Sequence, residues 1–249
     1  MNDQDGTTAG FPGSIRLFQV WGINVFLHWS WAVIAVVELQ FRQNHYSHQA
    51  WNAAEYVSIF IIVLLHEFGH ALACRSVGGR ADRILLWPLG GIAYVQPPMR
   101  PGAMLWSLAA GPLVNVVLLP VTLGAYMLAP EGIAADLGSF LFAVAAINLI
   151  LLVFNMLPIY PLDGGQIVQS ILWFFIGFRR SLLVATSIGF LGAACVIILA
   201  AVYQDLWFVV LACFGLSRSW QGFQLARRLT DKPAVVENPA ISHQYADRD

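Results

Sequence analysis

Ile61–Ala71, IIVLLHEFGHA, sets two histidines and a glutamate inside a run that is otherwise hydrocarbon. Ionisable groups inside a membrane span are costly, and where they occur they mark a site or a partner. Whether this run is a span therefore decides the fold. The 249-residue chain is 58% hydrophobic and only 11% charged, with a mean hydropathy of +0.68; a soluble domain carries roughly 25% charged residues. Crossing a hydrocarbon layer of ~30 Å takes about 20 helical residues. Runs of that kind occur at Ile23–Leu39, Ala54–Cys74, Ala103–Ala129, Gly138–Leu157, Leu182–Tyr203 and, shorter, Leu206–Trp220. The predicted fold class is an all-α polytopic membrane protein of about six transmembrane helices.

Basic residues in short connections stay on the cytoplasmic side. With both termini cytoplasmic, the inner segments hold twelve of the thirteen Lys and Arg residues and the outer ones only Arg42. This predicts an N-in, C-in topology with an even number of spans. At ~1.5 Å per residue, His66 and His70 then lie about 18 and 24 Å from the outer end of the second span, in the cytoplasmic half of the bilayer. The polar, acidic start MNDQDGTTAG has no positively charged n-region, so no cleavable signal is expected. The net charge of −1 provides no basic surface for phosphates, and no nucleic-acid partner is expected.

Two connections stand out. Ile84–Val95, ILLWPLGGIAYV, is apolar but too short to span, and Pro88, Gly90 and Gly91 disfavour a helix. It reads as a small re-entrant or β-like segment lining a cavity, the setting in which irregular backbone is tolerated at membrane depth. Asp163–Phe178 reads as a helix beginning near an acidic N-cap at the cytoplasmic interface. One domain is expected over residues 1–232, with core spans at about 54–165, followed by a polar tail over 233–249. Cys74, Cys195 and Cys213 lie at or inside apolar runs without ligand spacing and read as packing residues.

On a helix, positions i and i+4 share a face, so His66 and His70 can hold one ion. Glu67 completes H-E-x-x-H, in which the glutamate serves as general base. A catalytic zinc site needs a third protein ligand. The fourth span ends NLILLVFNMLPIYPLDGG, delivering Asp163 to the level of the histidines; Pro158 and Pro161 prevent a continuous helix there. Taken alone, Asp163 before Gly164 and Gly165 reads first as an ordinary turn or N-cap aspartate. Glu38, Glu55, Glu131, Asp136 and Asp205 fall near the outer face, and His28 near the inner end of the first span, where it reads as an interfacial histidine or a further polar contact. Asn115 and Asn155 are polar residues within spans at this level; interhelical hydrogen bonds and oxyanion or substrate contacts both account for them.

Three motifs in order resemble the site-2 proteases, intramembrane zinc metalloproteases: HEFGH at His66–His70, GPLVN at Gly111–Asn115, and NMLPIYPLDGG at Asn155–Gly165. The WPLGGIAYV segment, with Gly90 and Gly91, is similar to the Gly-Gly loop between their first two core spans. The resemblance implies one zinc per chain held by His66, His70 and Asp163, Glu67 activating the water, and Asn115 and Asn155 positioning substrate or stabilising the oxyanion. It implies cleavage of the transmembrane helices of membrane-anchored regulatory proteins near the cytoplasmic side. It further implies a substrate helix partly unwound before the cut, because helical carbonyls are otherwise engaged, for which an edge of the Leu86–Val95 segment, with Gly90 and Gly91, is the expected pairing partner. No insertion suits a PDZ domain and the tail is too short for a CBS domain, so the compact six-span type is expected, with a regulatory membrane partner as a possible source of control. The implied location is a bacterial or archaeal cell membrane. Two other classes remain open on the residues: a catalytically silent membrane scaffold and a metal transporter.

Overall fold

The computed structural model describes residues 11–41, 46–87, 90–130 and 135–229. The elements run β1 (Ser14–Val20), β2 (Ile23–His28), α1 (Ser30–Phe41), α2 (Gln49–Ser76), β3 (Arg80–Trp87), β4 (Gly90–Gln96), α3 (Pro101–Met127), α4 (Ala135–Met156), α5 (Asp163–Ile176), α6 (Phe178–Tyr203) and α7 (Leu206–Arg228). The fold is mostly helical with one mixed sheet of order β1-β2-β3-β4, in which only the β2–β3 pair is parallel.

Two of the six expected spans are redrawn. Ile23–His28 is a strand, and α1 after it has only 12 residues. β2 lies inside the sheet with Ile23, Asn24, Val25 and Phe26 all buried. A strand covered on both faces reads as a continuous apolar run, which periodicity alone does not separate from a buried helix. At the other end, α7 has 23 residues, but its second half carries Arg218, Gln221, Gln224, Arg227 and Arg228. Among the described residues, α2, α3, α4 and α6 are the four helices both long and apolar enough to cross a membrane. The segment near 84–95 is the β3–β4 hairpin of a larger sheet than the sequence suggested; Pro88, Glu131 and the tail 233–249 lie outside the described residues.

α2 is the organising element. Its Val63, Ala71 and Cys74 join Ile23, Val25, Ile84, Leu86 and Trp31 in one buried cluster, so the sheet docks on α2. Gly78, at φ +85°, allows the chain to leave α2 and enter β3 in a turn that a side chain would strain. On its other side α2 packs on α3, with Gly69 set so close to the Ala110 carbonyl that a Cβ there would lie 2.6 Å from it. α3 packs on α4 and α5, α5 on α6, and α6 pairs extensively with α7. Outward residues such as Val117, Val121, Ile150, Val153 and Ile198 are exposed and apolar, the surface a lipid-facing helix presents.

Candidate metal centre

The i, i+4 spacing on α2 brings the His66 and His70 rings to a centroid distance of 4.8 Å. Their Nε2 atoms lie 3.1 Å apart. Asp163 Oδ2 is 3.1 Å from His66 Nε2 and 3.4 Å from His70 Nε2. Asp163 is the first residue of α5, after an uncapped Leu162, and its carboxylate turns toward α2. It is therefore not the helix cap that the sequence also allowed.

The other ring nitrogens are tied down. His66 Nδ1 is 2.6 Å from Asn115 Oδ1, and His70 Nδ1 is 2.8 Å from the Ser107 carbonyl. The identity of the Asn115 oxygen follows from a chain of bonds. Asn148 Nδ2 donates to the Asn115 carbonyl at 3.1 Å, which leaves Asn148 Oδ1 to accept from Asn115 Nδ2 at 2.7 Å. Asn115 Oδ1 is then the acceptor facing His66, so both imidazoles carry their proton on Nδ1. Two Nε2 lone pairs and a carboxylate oxygen consequently point at one small volume with no hydrogen among them. Such an arrangement repels itself unless a cation sits there. The 3.1–3.4 Å spacings match the separation of about 3.3 Å between atoms bound to one tetrahedral zinc at ~2.05 Å. Among the described residues, this trio is the one group of three His, Cys, Asp or Glu side chains able to share an ion.

Gly111 closes the fit. A Cβ on it would land on His70 Nε2 and stand 2.8 Å from His66 Nε2, so only glycine leaves room where the nitrogens converge.

Glu67 is buried beside the histidines and does not join the trio. Its Oε2 accepts the Ala93 amide of β4 at 2.7 Å. A Cβ on Gly91 would occupy the place of Glu67 Cγ and Cδ, so this glycine lets the strand reach the carboxylate. His66, Glu67, His70 and Asp163 open into a cavity of about 400 Å³ whose wall also includes Gly91, Asn155 and Arg218.

A profile of peptidase family M50 matches residues 54–132 and 127–199. The chain belongs to the site-2 protease family, peptidase family M50. It is similar to a zinc metalloprotease of Methanocaldococcus jannaschii, 30% identical over 180 residues that make up 71% of this chain and 50% of that protein. It is also similar to stage IV sporulation protein FB of Bacillus subtilis, 34% identical over 114 residues, 44% of this chain and 37% of that one. Over the aligned regions the chain thus spans half or less of the length of these two relatives. A site-2 protease structure from M. jannaschii superposes with a TM-score of 0.64 at 27% identity, covering 89% of this chain and 99% of the other.

Within this M50 chain the predicted residues divide by position. His66, Glu67, His70, Asp163, Asn155 and Gly91 meet at the cavity, and Gly90 pairs with Trp87 at the end of the hairpin. Asn115, placed with the substrate by resemblance, is fully buried behind His66, with its amide engaged by His66 and Asn148. Three of the other acids are used elsewhere: Glu55 by Tyr46 at 2.6 Å, Asp136 by Ser47, and Asp205 as the cap for Trp207 N. His28 contacts Ser30. Sequence reading missed Asn148, although it lies seven residues before Asn155, two turns away on one face of α4. It also counted Arg218 among the cytoplasmic segments, whereas the structure sets it within α7 at the cavity wall.

Proposed function

We propose that the protein is a zinc-dependent intramembrane endopeptidase that cuts transmembrane segments of membrane-anchored regulatory proteins near the cytoplasmic side. The observation that carries this reading is the convergence of two Nδ1-protonated histidines and a carboxylate, with a second carboxylate, Glu67, held separately beside them. His66 Nε2, His70 Nε2 and Asp163 Oδ2 would hold one zinc, which when bound acidifies water and polarises the scissile carbonyl. Glu67 takes a proton from the attacking water and returns it to the leaving amine. Its place against Ala93 N fixes the carboxylate without consuming both oxygens.

Asn155 lines the cavity, and no protein hydrogen bond among the described residues occupies its amide. That supports a role in receiving the developing oxyanion or the substrate backbone. β4 is an edge strand of the sheet. The Ala93 amide faces Glu67, so by the two-residue repeat of a strand the backbone groups of Gly91 and Val95 face the same unpaired edge. An extended substrate segment added there would bring its peptide bonds past Glu67. Asn115 acts through His66 and not on substrate.

The catalytic unit is taken as residues 1–232, with its core at 54–165. The bias of basic residues supports cytoplasmic termini, and the archaeal and bacterial relatives support a bacterial or archaeal cell membrane. The test is Glu67→Gln: zinc is retained and cleavage of a transmembrane reporter peptide is lost. Wild-type rates in that variant would end the proposal.

A further inference from the structure

The cavity wall holds one cation that the hydrolytic chemistry leaves without a task. Phe214, Arg218 and Gln221 of α7 face the cavity together, at i, i+4 and i+7 of the helix. The Arg218 guanidinium carbon lies 5.7 Å from the centre of the Phe214 ring, and that ring sits 6.0 Å from the ring of Trp87 at the end of β3. Stacking on an aromatic face holds a guanidinium in one plane while leaving its N–H groups open. Arg218 is half-buried, and among the described residues no carboxylate stands within 4 Å of it. Of the two acids at the cavity, Glu67 accepts from Ala93 N and Asp163 turns its Oδ2 toward the two histidine Nε2 atoms. Arg218 does act on Tyr160, whose phenol is pushed up by burial and drawn back down by this cation.

An unpaired guanidinium is expensive at membrane depth, and its planar fork matches a carboxylate. Whatever enters this cavity to be cut is polypeptide, whose anionic groups are carboxylates. Hydrolysis also creates one in place, in the cavity that Arg218 lines. We propose that Arg218 is the carboxylate-binding residue of the substrate cavity, pairing with an acidic side chain flanking the cut or with the new α-carboxylate of the N-terminal product. The inference rests on the proteolytic reading for its setting, but it is tested by binding and not by cleavage.

The probe is a fluorescent apolar peptide offered to the full-length zinc-loaded protein in detergent. One pair of peptides differs by a C-terminal carboxylate against a carboxamide; a second, amidated pair differs by Asp against Asn scanned along the terminal turn. The wild type is expected to bind the anionic member of at least one pair about tenfold or more tightly than the neutral one. Arg218→Gln brings that ratio to near one with zinc content unchanged, and Arg218→Lys keeps part of it. Preference in the first pair assigns the product carboxylate, and in the second a substrate side chain. A wild-type ratio near one in both pairs, or a ratio that Arg218→Gln leaves intact, overturns the inference. Reporter cleavage by wild type and Glu67→Gln, run on the same preparations, reports separately on the proteolytic reading.

Discussion

Asn148 holds Asn115 by two reciprocal hydrogen bonds, Asn115 Nδ2 to Asn148 Oδ1 at 2.7 Å and Asn148 Nδ2 to the Asn115 carbonyl at 3.1 Å. Both residues are 0% exposed. The pair dictates which end of the Asn115 amide meets His66, and so which nitrogen of His66 carries its proton. Replacing Asn148 by Leu removes both bonds and lets Asn115 turn its NH2 toward His66 Nδ1. Outer partners of metal-binding histidines typically contribute 10–100-fold in affinity. Asn148→Leu is therefore expected to weaken zinc binding by about that factor, read by competition with a chromogenic chelator. Unchanged zinc affinity in a folded Asn148→Leu protein would show that Asn148 has no part in the site.

Gly91 provides a test of the strand rather than the metal. A Cβ there coincides with the Glu67 side chain, so Gly91→Ala must displace either β4 or the carboxylate. The imidazole–carboxylate trio is untouched by that change. Turnover is expected to fall about 100-fold, the scale of losing a positioned proton carrier, while zinc content stays at the wild-type level. Gly102→Ala serves as the control, since a Cβ there meets only Phe174 Cζ at 3.7 Å, an ordinary contact. Equal activity of the two alanine variants would detach Gly91 from catalysis.

The two carboxylates at the cavity are expected to separate cleanly. Glu67→Gln keeps the three atoms that face one another and so keeps zinc, losing about 10²–10⁴ in rate with the proton carrier. Asp163→Asn removes the single negative charge of the trio, leaving two neutral imidazoles and an amide. It is expected to lose stoichiometric zinc in metal analysis of the purified protein. It should also lose the upward shift in apparent melting temperature that zinc gives the wild type by binding the folded state. Zinc loss in Glu67→Gln but not in Asp163→Asn would exchange the proposed roles.

What the sequence made legible was the part encoded by spacing. HEFGH on a span-length run predicted two histidines on one helical face, and the Pro-rich approach to Asp163 predicted a break that brings the carboxylate back; both meet in the structure. Ile84–Val95 announced its hairpin through a length too short to cross and a Pro-Leu-Gly-Gly centre. Ile23–His28 did not announce its strand, because a segment buried on both faces loses the alternation that distinguishes a strand. α7 is mixed. Its first half is apolar enough for a span, and in its second half Arg218 and Gln221 line the cavity, a setting that hydropathy cannot tell from solvent. Asn115 was visible as a buried amide but not its partner, since a contact across 33 residues is fixed by helix packing and not by local pattern.

The redrawn ends make the course of α7 a specific question for topology. Basic residues place the 97–100 connection and the end of α7 inside, and the Gln204–Asp205 turn, which has no Lys or Arg, outside. Moving Arg218 from a connection into α7 leaves that asymmetry intact. Met99 is exposed, as are Cys195 and Cys213, so the two native thiols are first replaced by serine. In intact cells a membrane-impermeant maleimide is then expected to label Gln204→Cys, and to label Met99→Cys and Leu229→Cys only after permeabilisation. Labelling of both Gln204→Cys and Leu229→Cys from outside would mean that α7 does not cross.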